Sequence, residues 1–407
     1  MKKLMILGGS RYIIPVIEEA HKLGVYVITC DYLPRNIAHR YSDEYCYASV
    51  IDKETVLEVA NSKNIDGIIS FACDPGVVTA AFVAQEMNLA FQGSYESVCI
   101  LQDKGLFRQY LINNGFNSPY AQRYTSIDDA INDVEKYKWP IIVKPTDSAG
   151  SKGVSKVEKR EELRHAIEIA IQKSHNNAFI IEEFLTFKGC HSSTDVFTVD
   201  GEVKFITFSD QLFDSNADNP YTPAQIIWPS SMDKQDQDYL VKEIQRLMKL
   251  LDMKTGIYNI ETCVGNDGKP YIMEVSPRGG GCKIAEIQKM AYGIDLIEAE
   301  IRNAIGMSVE KVCQTECNDY WCEMVIHTEK DQSGIFKGID INEKISKNIM
   351  LRELSVKGGD MVYPFTGANM ALGDIFFRFD TREELNYVMR NISEFIKIKV
   401  ENSECVV

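Results

Sequence analysis

Residues 254–281 of the chain read KTGIYNIETCVGNDGKPYIMEVSPRGGG, and they contain the sequence's clearest chemical signal. Two apolar segments flank the turn at 265–268, so the pattern predicts a β-hairpin. One segment contains Glu261 and the other Glu274; their 13-residue separation (274 − 261) predicts that the two carboxylates face each other. Buried carboxylates need a cation, and Mg²⁺ accepts one or two carboxylates together with phosphate oxygens and water. The alternative is an exposed sheet face with both side chains in solvent.

Ser276-Pro277-Arg278 and three glycines continue directly from this hairpin. An arginine on a proline-led turn beside two metal-binding carboxylates would stabilise negative charge on a transferred phosphoryl group. Glycines let the backbone approach a ligand closely. The alternative is a glycine-rich loop with an arginine that faces solvent.

A second glycine-bearing segment, PTDSAGSKGV at 145–154, follows Lys144. Small residues would let backbone N–H groups reach phosphate oxygens, and Lys144 or Lys152 would supply the positive charge. The segment is not a Walker A loop, because its glycine and lysine spacing differs. It is interpreted either as a phosphate-binding loop or as a mobile linker.

The first hundred residues alternate short apolar runs with amphipathic segments, which predicts parallel strands with helices on both faces. Ligands of such sheets bind at the carboxyl ends of the strands, so Gly9, Arg11, Asp31 and Asp74 are candidate substrate contacts. A plain turn or helix cap explains Asp74 equally well. The dinucleotide fingerprint G-x-G-x-x-G is absent, which disfavours a nicotinamide or flavin oxidoreductase.

Composition excludes several broad classes of protein. The 407 residues are 45% hydrophobic and 25% charged, as in a folded protein, and the net charge of −15 argues against nucleic acid and anionic membranes as partners. No segment reaches the roughly 18 apolar residues that a membrane span requires. The 11 cysteines match neither a zinc site nor a disulfide framework, so we expect free thiols and a cytoplasmic protein.

Five motifs occur in one order along the chain: Lys104, Val-Lys-Pro at 143–145, the loop after it, Glu-Glu-Phe-Leu at 182–185, and E-x12-E-x-S-P-R. Together they resemble the ATP-grasp superfamily, which includes biotin carboxylase, the large chain of carbamoyl-phosphate synthetase, glycinamide ribonucleotide synthetase and amino-acid ligases. The resemblance implies a mixed α/β and α+β fold. Its parts would be an open parallel domain at 1–100, an ATP-grasp domain at 101–305 with a lid at about 118–185, and a small strand-rich α+β domain at 306–407.

The resemblance also implies a role for each matching residue. Lys104 and Lys144 would hold the phosphates of ATP. The adenine would meet the Glu182 carboxylate and the backbone of the adjoining hinge, while Arg278 would stabilise the transition state that forms an acyl phosphate. The remaining implied contacts are the phosphate loop (Ser148, Gly150, Ser151, Lys152, Gly153), the hinge (Glu183, Phe184, Leu185), the ribose contact (His191) and the ligands of Mg²⁺ or Mn²⁺ (Glu261, Glu274, Ser276).

Two positions depart from the family pattern. Ser276 replaces the usual asparagine, so its hydroxyl would be a weaker metal ligand than an amide oxygen. His191 stands where many relatives carry a glutamate near the ribose, and it is expected either to bond a ribose hydroxyl or to have no such role.

The expected reaction is an ATP-dependent ligation in which a carboxylate becomes an acyl phosphate and a small-molecule amine displaces the phosphate. The loop at 210–228 and residues 278–283 would frame the pocket for the amine. A kinase of the same fold and an ATP-binding module without turnover are the alternatives. Relatives suggest a homodimer, and the sequence identifies neither substrate.

Overall fold

A parallel sheet with helices on both faces begins the chain. The computed structural model describes residues 1–148 and 152–402. The first elements are β1 (Lys3–Leu7), α1 (Ile14–Lys22), β2 (Tyr26–Asp31), β3 (Glu44–Tyr47), α2 (Lys53–Lys63), β4 (Gly67–Ser70) and α3 (Asp74–Glu86), followed by α4 (Tyr95–Gln102) and α5 (Lys104–Asn113). The strand order is β3-β2-β1-β4 and every pairing is parallel, which confirms the predicted sheet. The short strand β3 and helix α4 were not predicted.

A four-stranded antiparallel sheet, here called the lid sheet, follows in the order β5-β8-β6-β7. Its elements are β5 (Ala121–Tyr124), α6 (Ile127–Asn132), β6 (Ile141–Pro145), β7 (Ser155–Val157), α7 (Arg160–Lys173) and β8 (Phe179–Glu183). Alternate residues of the central strands, including Ile141, Val143 and Ile181, are fully buried against Ile167 of α7. Period-two burial on strands covered by one helix explains why this small sheet has its own core.

The largest sheet has nine strands in the order β14-β13-β9-β11-β12-β15-β19-β17, with β10 paired to β9. The middle of the chain supplies β9 (Phe187–Val199), β10 (Glu202–Phe205), β11 (Asp210–Phe213), β12 (Pro223–Trp228), α8 (Lys234–Leu250), β13 (Gly256–Gly265), β14 (Pro270–Ser276), α9 (Ile284–Tyr292) and α10 (Leu296–Ala304). On α8, Leu240, Ile244 and Leu247 recur at helical spacing and are fully buried in the core shared with β13 and β14.

The last hundred residues extend this large sheet and add a small one. They supply β15 (Tyr320–Ile326), β16 (Gly334–Ile341), β17 (Ile349–Leu354), β18 (Met361–Val362), β19 (Gly373–Phe379), α11 (Arg382–Arg390), α12 (Ile392–Phe395) and β20 (Ile396–Asn402). Strand β12 pairs with β15, so the expected third domain shares its main sheet with the ATP-grasp segment. The three-stranded sheet has the order β18-β16-β20. No helix in the described part of the chain is long and apolar enough to cross a membrane.

The expectation of a long loop at 210–225 is wrong in part. Residues Asp210–Phe213 form β11 and Pro223–Trp228 form β12, both inside the large sheet. The polar composition did not predict these strands, because polar residues such as Asp210 and Gln211 are rarely buried in a sheet, as they are here. Asp210 forms an ion pair with Arg382, and this pairing offsets the cost of burying the carboxylate in a strand.

The Thr-Arg-Glu-Glu cap pattern at 381–384 predicts a helix over residues 381–397, but the helix ends earlier. Thr381 caps α11 by accepting from the N–H of Glu384, as its sequence pattern predicts. The chain becomes strand β20 at Ile396, where Ile396, Ile398 and Val400 alternate with lysines in the order expected of a strand. β20 pairs with β16, so the chain forms a strand here instead of continuing the helix.

One hydrophobic core joins the parallel sheet to the large sheet and fixes the position of the glycine loop. It includes Ile6 and Phe71 from the first sheet, Phe197 and Ile257 from the second, and Ile301 from α10 between them. The N–H of Ala72, just after β4, donates to the carbonyl of Gly279 at 3.0 Å. A Cβ on Gly279 would lie 2.2 Å from the Phe71 ring, so only glycine permits this approach.

Candidate active site

The two carboxylates of the quoted stretch lie directly opposite each other. Glu261 on β13 is the register partner of Glu274 on β14, so both side chains are on the same face of the hairpin. Glu261 is half-buried, and the Glu274 side chain is 39% exposed. Burial, and after it the charge of Glu274, raises the pKa of Glu261 to about 7. Two like charges held together at a partly open face form a site that favours a cation.

Lys104 is the first residue of α5 and lies beside this pair. Its Nζ is 3.3 Å from Oε2 of Glu274. Burial disfavours the ammonium, but the nearby charges of Glu274 and Asp74 outweigh it and raise the pKa of Lys104. The lysine is therefore cationic at the edge of the carboxylate pair, where a phosphate group would need positive charge.

Arg278 is held by a carboxylate from the parallel sheet. Its Nε and Nη2 both donate to Oδ1 of Asp74, at 2.9 and 2.6 Å, and its side chain is only 9% exposed. Burial opposes the charge of Asp74, yet the arginine lowers the pKa of that carboxyl below its ordinary value. Asp74, weighed from sequence as a substrate contact or a helix cap, is thus the partner that orients Arg278.

Ser276, a predicted metal ligand, is hydrogen-bonded to two side chains. Its hydroxyl donates to Oδ1 of Asp74 at 2.9 Å and accepts from Nε2 of Gln102 at 2.7 Å. The residue is 1% exposed, so the hydroxyl is enclosed by these two partners. A serine side chain is shorter than an asparagine side chain, and here it contacts the Arg278 partner instead of extending toward the carboxylate pair.

Asp195 was missed by the sequence analysis. It is fully buried on β9, and its carboxylate accepts from the N–H of Gly280 at 2.9 and 3.0 Å and from Nδ2 of Asn259 at 3.0 Å. Burial raises the pKa of Asp195 to about 6. A Cβ on Gly280 would lie 2.9 Å from this carboxylate. Asp195 therefore fixes the glycine loop after Arg278, and a lone acid in the apolar strand VFTV was its only sequence signal.

Glu182 has a different partner from the one expected. One of its oxygens forms an ion pair with Nζ of Lys144, and the other accepts from Nε of Arg108 at 3.0 Å. Burial opposes ionisation, but the two cations outweigh it and lower the pKa of Glu182 to about 2. The contact between this carboxylate and an adenine amine stays a prediction; in the structure both oxygens neutralise buried cations. Arg108, which the sequence analysis missed, also donates to the carbonyl of Met273 at 2.8 Å.

Burial lowers the pKa of Lys144, even though Glu182 and its hydrogen bond act in the opposite direction. Lys144 and Lys104 are near enough for each to disfavour the charge of the other. The structure thus brings both predicted phosphate lysines to one region, and each is already paired with a carboxylate.

The predicted adenine hinge lies between the lid sheet and the large sheet. The N–H of Glu183 donates to Tyr120 and that of Phe184 to Pro140, so these two donors belong to the lid sheet. Leu185 lies in the connection between β8 and β9. His191 on β9 contacts the rings of Phe187 and Phe213 edge-on, with centroids at 4.1 and 6.4 Å. Burial lowers the pKa of His191, so the ring is neutral.

The two ends of the predicted phosphate loop are described. Ser148 donates from Oγ to the carbonyl of Lys173 at 2.5 Å, which ties the loop to the end of α7. Gly153 has φ +76° and packs against Lys173 and Pro145. Lys152 is exposed. Gly150 and Ser151 lie outside the described residues.

The other three strand-end candidates also have structural partners. Gly9 packs against Asn36 and His39, and Asp31 accepts from the N–H of Leu33 and from Nδ2 of Asn36. Arg11 makes an ion pair with Asp374 of β19, at 2.8 Å. Arg11 thus lies against the large sheet, next to the glycine loop that follows Arg278.

Comparison with known proteins adds a family. Residues 119–296 match the family model described as D-ala D-ala ligase C-terminus. The chain is 22% identical over 291 residues to the carbamoyl phosphate synthase large chain, C-terminal section, of Aquifex aeolicus, covering 71% of this chain and 53% of that relative. These matches support the ATP-grasp superfamily for this chain.

Solved ATP-grasp structures have the same fold over nearly the whole chain. An L-amino acid ligase from Bacillus licheniformis matches with a TM-score of 0.80 and 21% identity, covering 99% of both chains. The biotin carboxylase domain of Hydrogenobacter thermophilus 2-oxoglutarate carboxylase, whose structure contains MgADP, matches with a TM-score of 0.77 and 15% identity, covering 98% of this chain and 91% of that one. The chain spans about half the length of the Aquifex relative and a quarter of a Thermotoga neapolitana one.

The residues of this ATP-grasp site fit the groups that the family uses. Glu261 and Glu274 offer hard oxygen ligands on one face of the hairpin. Mg²⁺ suits this donor set. Lys104 and Lys144 lie in the same region and are the cations that phosphate oxygens would meet there.

Proposed function

We propose that the chain is an ATP-dependent ligase that activates a carboxylate as an acyl phosphate and couples it to an amine, releasing ADP and phosphate. The observation that supports this most strongly is the convergence of the Glu261–Glu274 pair, Lys104 and Arg278 at one hairpin end. A site that only binds ATP has no need of an arginine fixed beside the metal-binding carboxylates.

Each group of site residues would have one role in the reaction. Glu261 and Glu274 would hold Mg²⁺, or Mn²⁺ in its place, which when bound screens the charge of the phosphates. Lys104 and Lys144 would position those phosphates for in-line transfer to the substrate carboxylate. Arg278, oriented by Asp74, would stabilise the charge that develops on the transferred group.

The chemistry requires both activation and exclusion of water. A carboxylate is a poor electrophile because an oxide is a poor leaving group, whereas an acyl phosphate releases phosphate when an amine attacks. The loop around Ser148 and Lys152 and the hinge at 183–185 would close over the nucleotide and protect this intermediate. A homodimer remains a prediction.

The test is to incubate the protein with Mg-ATP and a panel of amino acids and small carboxylic acids, and to measure ADP and phosphate. We expect phosphate release that requires both a carboxylate and an amine. A stable phosphorylated product would indicate a kinase instead, and tight ATP binding without ADP from any pair would indicate a binding module.

The site assignment is tested by Glu274→Gln and Arg278→Ala. Each is expected to lower turnover by at least ~10²-fold, the scale of losing one preorganised electrostatic partner. Arg302→Ala is the control, because Arg302 pairs only with Glu298 on α10. Turnover near that of the unmodified protein in both site variants would overturn the assignment.

A further inference from the structure

A second group of charged side chains, here called the junction cluster, lies where the parallel sheet, the glycine loop and the last strands of the large sheet meet. Its members are Arg11, Lys283, Glu286, Glu323, Glu353 and Asp374. Arg11 donates to both oxygens of Asp374, at 2.8 and 3.3 Å. The function proposed above assigns no role to these carboxyl groups.

Glu323 and Asp374 face each other across two adjacent strands. Glu323 on β15 is the register partner of Phe376 on β19, two residues from Asp374, so the two carboxyl side chains are diagonal neighbours on one sheet face. Both residues are 0% exposed. Glu286, in the first turn of α9, approaches the same face because α9 packs on β15.

Three oxygens of this cluster have no hydrogen-bond partner among the described residues: both carboxyl oxygens of Glu323 and Oε1 of Glu286. Most buried polar atoms in folded proteins are hydrogen-bonded. An unpartnered carboxylate at 0% exposure is costly, so the two oxygens of Glu323 indicate that a donor is missing from this position, whereas Oε1 of Glu286 has the Lys283 ammonium 3.9 Å away.

The charges of the cluster also do not balance. Two cations, Arg11 and Lys283, stand against four carboxyl groups, and Lys283 divides its contacts between Glu353 and Glu286. Burial raises the pKa of Glu286 to about 7 and raises that of Glu323 as well. Protonation relieves the excess charge, but a single proton shared between Glu323 and Asp374 still leaves oxygens without a donor.

The cluster is adjacent to the reacting centre. The chain runs from Arg278 through three glycines to Cys282 and Lys283, which both have left-handed backbones with φ of +50° and +52°. The partly buried Cys282 thiol has a raised pKa, first because of desolvation and then because of the charges of Glu323 and Asp374. Its charge environment also includes Arg11 and Arg278, so the cluster and the proposed phosphoryl site are neighbours.

We propose that the junction cluster is the subsite for the protonated amino group of the second substrate, so that the acceptor is a primary amine that arrives as a cation and gives one proton to a cluster carboxylate before its nitrogen attacks. An ammonium group has three N–H donors and one positive charge, which match the unpartnered oxygens of Glu323 and the excess of carboxyl groups around them. The two resident cations would repel a metal dication more strongly than a single ammonium charge. This inference rests on the proposed ligase function and names the class of its amine substrate.

Amino-acid amides are suitable probes, because they carry the ammonium group but no carboxylate that the enzyme could activate. Twenty amino-acid amides and their uncharged N-acetyl counterparts are tested for binding by shifts in melting temperature. We expect at least one amide to bind and its N-acetyl form not to bind. Glu323→Gln is expected to weaken that binding by about tenfold or more, the effect of losing one charged hydrogen-bond partner.

Glu300→Gln is the matched control, because Glu300 is equally buried but has its own partners, Gln92 and the N–H of Ile257, outside the cluster. It should leave amide binding unchanged. If Glu323→Gln does not fold, Glu286→Gln at the more exposed edge of the cluster serves for the same measurement. The proposal is overturned if no amide binds, or if the cluster variant binds amides as tightly as the Glu300→Gln control.

A trapping assay separates this inference from the ligase function. Hydroxylamine, largely uncharged at mildly alkaline pH, converts an acyl phosphate to a hydroxamate without needing an ammonium site. If Glu323→Gln still forms hydroxamate but has lost amide binding, both proposals stand. If no hydroxamate or ADP forms while amide binding depends on Glu323, the ligase proposal fails and the ammonium subsite stands.

Discussion

Replacing Glu182 by glutamine should destabilise the lid sheet, which a role confined to nucleotide recognition would not do. The substitution leaves Lys144 and Arg108 buried with no carboxylate between them. A pKa lowered from 4.5 to about 2 corresponds to about 3 kcal/mol of stabilisation at neutral pH. Breaking a buried ion pair by removing one partner costs a similar amount, about 3–5 kcal/mol.

The stability of the protein should depend on pH through Glu182. Because the folded state lowers the pKa of Glu182, its contribution is fully present above pH 4.5 and is lost as the pH falls from 4.5 toward about 2. The unmodified protein should therefore lose stability in that window through this residue. Glu182→Gln should lack that component, since its side chain does not ionise.

Hydrogen exchange of the amides in β6 and β8 measures the effect locally, which avoids treating a chain of several parts as a single two-state unit. We expect the opening free energy of these strands to fall by about 3 kcal/mol in Glu182→Gln. The control is Glu183→Gln, whose side chain accepts only from the N–H of Lys138 and should change it by less than about 0.5 kcal/mol. A loss below about 1 kcal/mol in Glu182→Gln would refute the reasoning.

Two other predictions concern the buried acids Asp195 and Glu300. Asp195→Ala should lower kcat by about tenfold or more with little change in the KM for ATP. The loop after Arg278 loses its hydrogen bond at Gly280, while the two lysines are unchanged. Steady-state kinetics checks this, and Asp195→Asn should recover part of the loss. Glu300, whose pKa burial raises to about 8, should stabilise the fold fully below pH 4.5 and lose that contribution, up to about 5 kcal/mol, as the pH rises through 8. Melting temperatures of the unmodified protein and Glu300→Gln across this range test it, and identical pH profiles would contradict it.

The hairpin was readable from sequence because its chemistry is local. Glu261 and Glu274 are joined by one tight turn, so spacing alone places them opposite each other. The alternation of apolar runs with helical segments and the glycine turns also predicted the parallel sheet, in which β1 pairs with both β2 and β4. Such features depend on a few consecutive residues.

Features that depend on contacts between distant segments were not readable. Arg108 and Glu182 are 74 residues apart, and Asp74 and Arg278 are 204 residues apart. A charged residue on a helix normally indicates a solvent-facing position, so nothing local marked Arg108 as buried. The buried polar strand β11 was missed for the same reason, because the partner of Asp210 is Arg382, far along the chain.

These distant pairs change how the net charge of −15 should be understood. From sequence, the basic residues of the site were expected to offset the charge of a bound nucleotide. In the structure Lys104, Lys144 and Arg278 are each already paired with a carboxylate, and Glu261 adds another acid. The chain's own residues therefore offer a metal-free nucleotide little net positive charge. The Glu261–Glu274 pair is therefore central to nucleotide binding. A divalent cation held there would supply the positive charge that the paired lysines and Arg278 do not.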